Sequence, residues 1–496
     1  MLGGTAAFVG ESGDRIMRPP RRTVKRLKSA GILSQTAKLE RITFSTSRLL
    51  DFFSEKELVT QTGHEMREWS LVFIKEAIDN ALDACEEADI APVIDVIADA
   101  TGITVKDNGS GLPESTLNKQ FDFSTRSSSR EGYVGVCRGA QGNALHTLIP
   151  MPRVIDEEHG KLIVTAHGKR HVIRCGADPI SQRPVIHDET SELDTTGTEL
   201  RIEWLARAGE FGGSHWPFGG DFVQGGAQCG PIAKRFREIV EGFALFNPHA
   251  TIRLDWFGEK SEFSASNPDW ENWKPHQPTS AHWYEAKHLE RIVGAYITHE
   301  RETGTDRLVS DFVAEFDGLT GSGKRAAVLD ASGLKRVRLS ELVVGDRLDS
   351  ERIAKLLVAM QQHSHPANPK RLGIIGEDHF RRRLLDMGVQ PESFRYAKVL
   401  DMERLPSVLE TAFGWLGDEA NDYRRIYAGA NWSAAIKNPF RSFGASSEGL
   451  EAHLASMKAG ACEPIVFAIH LAQPRIEFTD RGKSALIVGD RHDQRD

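Results

Sequence analysis

The chain has 496 residues, 40% hydrophobic and 27% charged, enough for two to four domains with cores of their own. No apolar run approaches the roughly 20 residues of a membrane span, and residues 1–14 lack the basic-then-apolar order of a secretory leader, so no membrane is expected and the cytoplasm is. Five scattered cysteines without a CxxC pair argue against a disulfide framework or zinc site, and a net charge of −8 limits nucleic-acid contact to local patches.

One such patch comes first. Residues 1–45 read as a poorly packed extension in which Arg15, Arg18, Arg21, Arg22, Lys25, Arg26 and Lys28 crowd together; a solvated arm and a DNA-binding arm are both open. From about 46 to 210, helical patterns alternate with the β-rich runs "VIDVIAD", "GITVKD", "KLIVTAHG" and "GTELRIEW", as expected for helices lying on one sheet. The Gly-rich stretch 211–230 reads as a loop, "KRFREIVEGFALF" as a helix and "ATIRLDWFG" as a strand. Residues 266–283, rich in Trp, Pro, Asn and His, mark a boundary, and 284–365 are mainly helical. Strand candidates in the last third are "YAKVL" and "PIVFAIHLAQPRIEF". The expected class is α+β.

Four segments carry chemistry. On a helix, "SLVFIKEAIDNALDACEEADI" puts Leu71, Ile74, Ile78, Leu82 and Cys85 on one face and Glu76, Asn80 and Asp83 on the other. A carboxylate and a carboxamide one turn apart suit Mg²⁺-dependent phosphoryl transfer, the first activating water and the second ligating the metal. In "ITVKDNGSGLPESTL" a β-rich run ends at Asp107, with Gly109 and Gly111 following. In "DFSTRSSSREGYVGVCRGAQGNALHTL" a Gly/Ser-rich loop opens onto a helical pattern near Asn143, an arrangement that can bind phosphate. In "TTGTELRIEW", Gly197 and Thr198 open a strand.

A fifth stretch, "FDGLTGSGKRAAVLD", has the glycine and lysine spacing of a P-loop at Gly318, Gly323 and Lys324. Arg325 takes the place of the Mg²⁺-binding Ser or Thr, and Val309, Phe312 and Phe316 before it have helical spacing rather than that of a strand. It reads as a turn between helices. The His-rich "QQHSHPANPK" reads as a solvent loop rather than a metal site.

The order and spacing of the four segments resemble the GHKL ATPase superfamily: "EAIDNALDA" matches its first box, "DNGSG" its second, "RGAQGNA" its glycine lid and "GTEL" its last. The likeness is greatest to the B subunit of type IIB topoisomerase (topoisomerase VI), where the first box typically runs into "DACEEAGI" and this chain has "DACEEADI". "DFVAEFDGLTGSGKRAAVL" is similar to that family's helix-two-turn-helix insert, and "PRIEFTDRGKSAL" to its transducer loop.

The resemblance implies a GHKL (Bergerat) α/β sandwich over 46–280, a helix-two-turn-helix-like segment over 281–365 and a transducer-like α/β domain over 366–496, after the basic extension or strap of 1–45. It implies ATP and Mg²⁺ as cofactors. Glu76 would be the general base and, with Asn80, a metal ligand; Asp83 would line the nucleotide site. Asp107 would recognise the adenine amino group, with Gly109 and Gly111 allowing close approach. Thr125 and Arg126 would precede the lid, and Gly139, Ala140, Gln141, Gly142 and Asn143 would give N–H groups to the phosphates. Thr198 would contact the nucleotide, and Lys483 would reach the γ-phosphate.

Several residues depart from the pattern. Ala144 replaces a third lid glycine, Arg126 replaces a lysine, and the sequence stops soon after Lys483, where the family continues into a long helix toward the DNA-cleaving subunit. The implied function is an ATP-dependent homodimeric gate or clamp on double-stranded DNA. It would hydrolyse ATP to ADP, would be associated with the nucleoid, and would leave any strand cleavage to a separate A-type subunit. The alternatives are a stand-alone DNA clamp or remodelling ATPase, as in genome maintenance or phage defence, and a non-hydrolysing switch assembled by ATP.

Overall fold

The computed structural model describes residues 48–99, 101–124, 132–138, 144–178, 180–181, 183–204, 231–403, 405–417, 423–442, 448–479 and 485–487. The basic segment 1–45, the stretch 211–230 and the candidate residues Thr125, Arg126, Gly139, Ala140, Gln141, Gly142, Asn143 and Lys483 lie outside the described residues.

Ser54 caps α1 (Glu55–Thr62) by accepting the Glu57 N–H at 3.3 Å. The long helix α2 (Trp69–Glu87) follows, with Leu71, Ile74, Ile78 and Leu82 fully buried, as their spacing requires. It ends where Ile90 donates its N–H back to the Cys85 carbonyl at 2.9 Å and Asp89 takes a φ of 55°. Aspartate tolerates that left-handed conformation, and here it also pairs with Lys274.

Eight strands form the main sheet: β1 (Val93–Ala98), β2 (Gly102–Lys106), β3 (Lys161–Ala166), β4 (Lys169–Asp178), β5 (Arg183–Glu192), β6 (Thr198–Glu203), β7 (Thr251–Trp256) and β8 (Glu259–Phe263). Their order is β5-β4-β3-β6-β2-β1-β7-β8, antiparallel except where β1 and β7 run parallel. Helix α2 packs on β1, β2 and β6, and the helix Pro231–Phe246 packs on both α2 and β7. The short helices Glu114–Lys119, Ala144–Leu148 and Met151–Ile155 interrupt the strand series.

Residues 266–283 form a packed seam. Trp270, Trp273 and Trp283 are buried; Trp270 Nε1–H donates to the Ile374 carbonyl at 2.6 Å and the Trp273 N–H to the Leu372 carbonyl at 3.2 Å. The helices Ala286–Thr303, Val309–Ala314, Ser322–Ser332 and Ser350–Gln362 follow. In the stretch with P-loop spacing a turn joins the second and third of these, Gly323 and Lys324 stand at the start of the third, and Lys324 Nζ donates to the Gly318 carbonyl in the turn at 3.1 Å. In the His-rich loop His365 is exposed, and among the described residues no group of His, Cys, Asp or Glu is placed to hold a metal ion.

A second sheet has the order β11-β12-β15-β13-β14, after the two short strands β9 (Val343–Val344) and β10 (Arg347–Leu348). Its members are β11 (Arg395–Asp401), β12 (Ser407–Trp415), β13 (Arg425–Ala430), β14 (Ser433–Ala434) and β15 (Ile465–Ala472), with β13 and β15 parallel. Strand β12 escaped the sequence reading because its buried face carries a charge. Glu410 is fully buried, accepting the N–H groups of Ile375 at 2.9 Å and Gly376 at 2.8 Å and the Tyr396 hydroxyl at 2.6 Å. No helix among the described residues is long and apolar enough to cross a membrane.

Candidate active site

Two stripes of polar residues run along α2. Glu76 is partly exposed, its side chain retaining 22% of its accessible surface, and Asn80, one turn on, is exposed. Beside them a second stripe, Lys75, Asp79, Asp83 and Glu86, is buried. At about 100° per residue Asp83 falls between the stripes, and the structure turns it inward: its Oδ1 accepts from Arg138 Nη1 at 2.8 Å. It therefore does not line the same surface as Glu76 and Asn80.

Lys75 links the stripes. Its ammonium lies 2.7 Å from Glu76 Oε1 and 3.0 Å from Asp79 Oδ2. Burial alone would lower the Lys75 pKa, but the charges of Asp79 and Glu76 outweigh it and hold the pKa above its ordinary value.

Asp107 stands at the end of β2 and is buried. Its Oδ1 accepts the N–H of Gly109 at 2.8 Å and of Thr198 at 3.1 Å, which fixes the carboxylate between the second and last sequence boxes. Burial raises its pKa despite those donors. Gly109 lies against the backbone of α2, where a β-carbon would come within 3.2 Å of Ala84 C and Cys85 N. The close approach sets the Asp107 loop on α2 about two turns beyond Glu76. Asn108 ties the same loop to the connection leading into β1: its Oδ1 accepts the Val93 N–H at 2.8 Å and its Nδ2 donates to the Ala91 carbonyl at 3.0 Å.

The segment 132–138 leads toward the lid positions and is held at both ends. The Val134 N–H donates to the Tyr284 hydroxyl at 3.0 Å, and Tyr133 meets Tyr296 and Glu315 of the helical region. At the far end the buried Arg138 forks onto Glu86 at 2.6 and 2.7 Å and reaches Asn247 Oδ1 at 2.7 Å. Glu86 also accepts from Asn272 Nδ2 at 3.1 Å and faces His249 Nε2 at 3.0 Å. Burial would raise its pKa, but Arg138 and His249 hold it well below the carboxylate range.

Sequence reasoning missed Lys75, Asp79, Glu86 and Arg138. Arg138 stands inside "RGAQGNA", where the glycines alone carry the resemblance. The signal for the others was a second charged stripe, Lys75-Asp79-Glu86, on the side of α2 next to Glu76. Of the expected site residues, the described structure brings Asp107 and Gly109, on the loop after β2, together with Thr198 at the start of β6. It sets Gly111 beside Gly197, whose carbonyl oxygen is 3.3 Å from a β-carbon built on Gly111, and Glu76 and Asn80 together on one helix face.

No protein-family model matches the chain. It is similar to the B subunit of type 2 DNA topoisomerase 6 from Archaeoglobus fulgidus, 43% identical over 440 residues that make up 84% of this chain and 66% of that protein. It is also similar to the protein of the same name from Metallosphaera sedula, 20% identical over 454 residues (83% and 74%), and to that of Methanosarcina mazei, 27% identical over 190 residues (36% and 27%). The chain thus spans 27% of the length of the Methanosarcina relative and 66% of that from Archaeoglobus. Among solved structures, the ATPase region of Saccharomyces cerevisiae topoisomerase II aligns at 11% identity and a TM-score of 0.38, covering 85% of this chain and 77% of that one. The 43K ATPase domain of Thermus thermophilus gyrase, in complex with an aminocoumarin, aligns at 12% identity and a TM-score of 0.35, covering 90% and 87%.

Proposed function

Because the chain is a member of the GHKL superfamily resembling the B subunit of type IIB topoisomerase, we propose that it binds and hydrolyses ATP and uses the cycle to close and open a homodimeric gate on double-stranded DNA. The observation that carries this reading is the pairing of Glu76 and Asn80 on one face of α2 with the buried Asp107 seated on the same helix.

Asp107 accepts a hydrogen bond from the exocyclic amino group of adenine, its position held by the Gly109 and Thr198 N–H groups. Glu76 accepts a proton from the attacking water and is oriented by Lys75 at 2.7 Å. The residues present fit Mg²⁺ through Asn80, whose exposed carboxamide has no hydrogen-bond partner among the described residues. Glu76, engaged by Lys75, suits the role of base better than that of ligand. When bound, Mg²⁺ neutralises phosphate charge. In this reading Gly139, Ala140, Gln141, Gly142 and Asn143 close over the phosphates after Arg138, with Thr125 and Arg126 before them. Lys483 meets the γ-phosphate, a contact that separates ATP from ADP.

The sheet domain of 46–280 then holds ATP, the helical segment 281–365 and the sheet of 366–496 form the arms of the gate, and 1–45 reaches across the partner. Strand breakage falls to an A-type subunit, and the setting is the nucleoid.

Glu76→Ala tests the assignment. ATP turnover is expected to fall by at least a hundredfold, on the order of the 10²–10⁴ attributed to a general base, with ATP binding retained. Hydrolysis at the wild-type rate would remove Glu76 from that role.

A further inference from the structure

Strands β13 and β14 are joined by the two-residue turn Asn431–Trp432, whose φ values of 47° and 64° are both left-handed, as in a type I′ hairpin turn. The turn is buried. Asn431 Nδ2 donates to the Cys137 carbonyl at 3.3 Å, one residue before the Arg138 fork. The Trp432 ring lies under the Arg138 guanidinium, 5.7 Å from centroid to Cζ, and its carbonyl accepts from Asn247 Nδ2 at 2.9 Å. Asn247 in turn accepts from Arg138. The next residue, Ser433, donates its hydroxyl to Asp79 Oδ2 at 2.8 Å, the same oxygen that faces Lys75.

One hairpin turn of the second sheet therefore touches both halves of the site from behind. On one side it holds the residues that lead into the lid positions; on the other it holds the Asp79–Lys75–Glu76 chain. Its root is fixed in its own sheet, because the Trp432 N–H donates to His470 Nε2 on β15 at 2.9 Å, and Asn431 exchanges two bonds with Gln473.

We propose that Asn431, Trp432 and Ser433 are positioning residues that align the ATP site with the five-stranded sheet. A shift of that sheet moves Asp79 and Arg138 together, and so moves Glu76 and the start of the lid segment in concert. This inference rests on the reading of Glu76 as base. It does not involve Lys483, so it supplies a second link between nucleotide and gate.

The geometry assigns different kinetic signatures to the two ends of the turn. Ser433→Ala frees Asp79 to draw Lys75 away from Glu76, so it lowers kcat by about tenfold with KM within about twofold, the scale of one hydrogen bond to a charged group. Ser433→Thr keeps the hydroxyl and restores most of the rate. Asn431→Gly retains the left-handed backbone but releases Cys137, so it raises KM for ATP severalfold and leaves kcat nearly unchanged. Each is measured by steady-state ATP hydrolysis on the full chain beside Glu76→Ala, with melting temperatures as a folding check.

Opposite kcat and KM signatures with Thr rescue support the proposal. Equal loss in both variants, or none, while Glu76→Ala abolishes turnover, overturns the proposal and leaves the assignment of Glu76 intact. Turnover surviving in Glu76→Ala overturns both.

Discussion

Gly197 lies so close to Asp107 that a β-carbon on it would sit 2.0 Å from the Asp107 carbonyl oxygen, and its own φ is 74°. Any side chain there meets immovable backbone in a conformation that L-residues avoid. Gly197→Ala is therefore expected to displace the loop that holds the Asp107 carboxylate. Loss of ATP binding with a melting temperature lowered by several degrees would agree; binding at wild-type affinity would show that the two loops are not coupled.

Asp107→Asn tests adenine recognition with little cost in packing, because an amide oxygen can still accept the Gly109 and Thr198 N–H groups. Loss of a charge-assisted hydrogen bond is worth about 1.5–3 kcal/mol, so ATP affinity should fall by roughly ten- to a hundredfold. A calorimetric titration checks it, with the melting temperature of the free protein nearly unchanged.

The Arg138 fork on Glu86 is a buried ion pair with Asp83 beside it. Removing the cation takes the guanidinium from two buried carboxylates at once and leaves Glu86 with His249 and Asn272, so Arg138→Met should destabilise the fold by about 3–5 kcal/mol in urea titrations. Adding Glu86→Gln should recover part of that loss; additive losses would mean that the pair contributes nothing as a pair.

Acid sensitivity follows from His470 and His379, both buried and both pushed down to about 3, chiefly by burial. A histidine whose folded pKa lies below its unfolded value of about 6.5 contributes stability that is complete above pH 6.5 and is lost as pH falls toward 3. The melting temperature should be level between pH 7 and 8 and should decline below 6.5. His470→Gln keeps an acceptor for the Trp432 N–H and should make that decline shallower, by about 1 kcal/mol per pH unit. An identical slope would place the acid sensitivity elsewhere.

What was legible in the sequence was local. The face of α2 formed by Leu71, Ile74, Ile78 and Leu82 follows from spacing alone, as do β1, β2, β3 and β6. The Asp107 loop was legible only through the family resemblance, since "DNGSG" alone reads as a turn. Pairings across the fold were not. Arg138 meets Glu86 across 52 residues and Ser433 meets Asp79 across 354, so no window of sequence shows them. Strand β12 was hidden by Glu410, a buried charge that breaks the apolar alternation but is satisfied by backbone donors from residues 375 and 376. The charged stripe Lys75-Asp79-Glu86 has the composition of a solvated face, and only its partners from distant segments, Ser433 on Asp79 and Arg138, His249 and Asn272 on Glu86, show why it can be buried.

The proposed gate requires ATP to draw two copies of this chain together. Molecular mass in solution should be measured with Mg²⁺ and no nucleotide, ADP or a non-hydrolysable ATP analogue, for the wild type, Asp107→Asn and Lys483→Ala. A dimer that forms only with the analogue, and that weakens in both variants, is the predicted result. A mass indifferent to nucleotide would contradict the gate, leaving a nucleotide-binding fold that does not close.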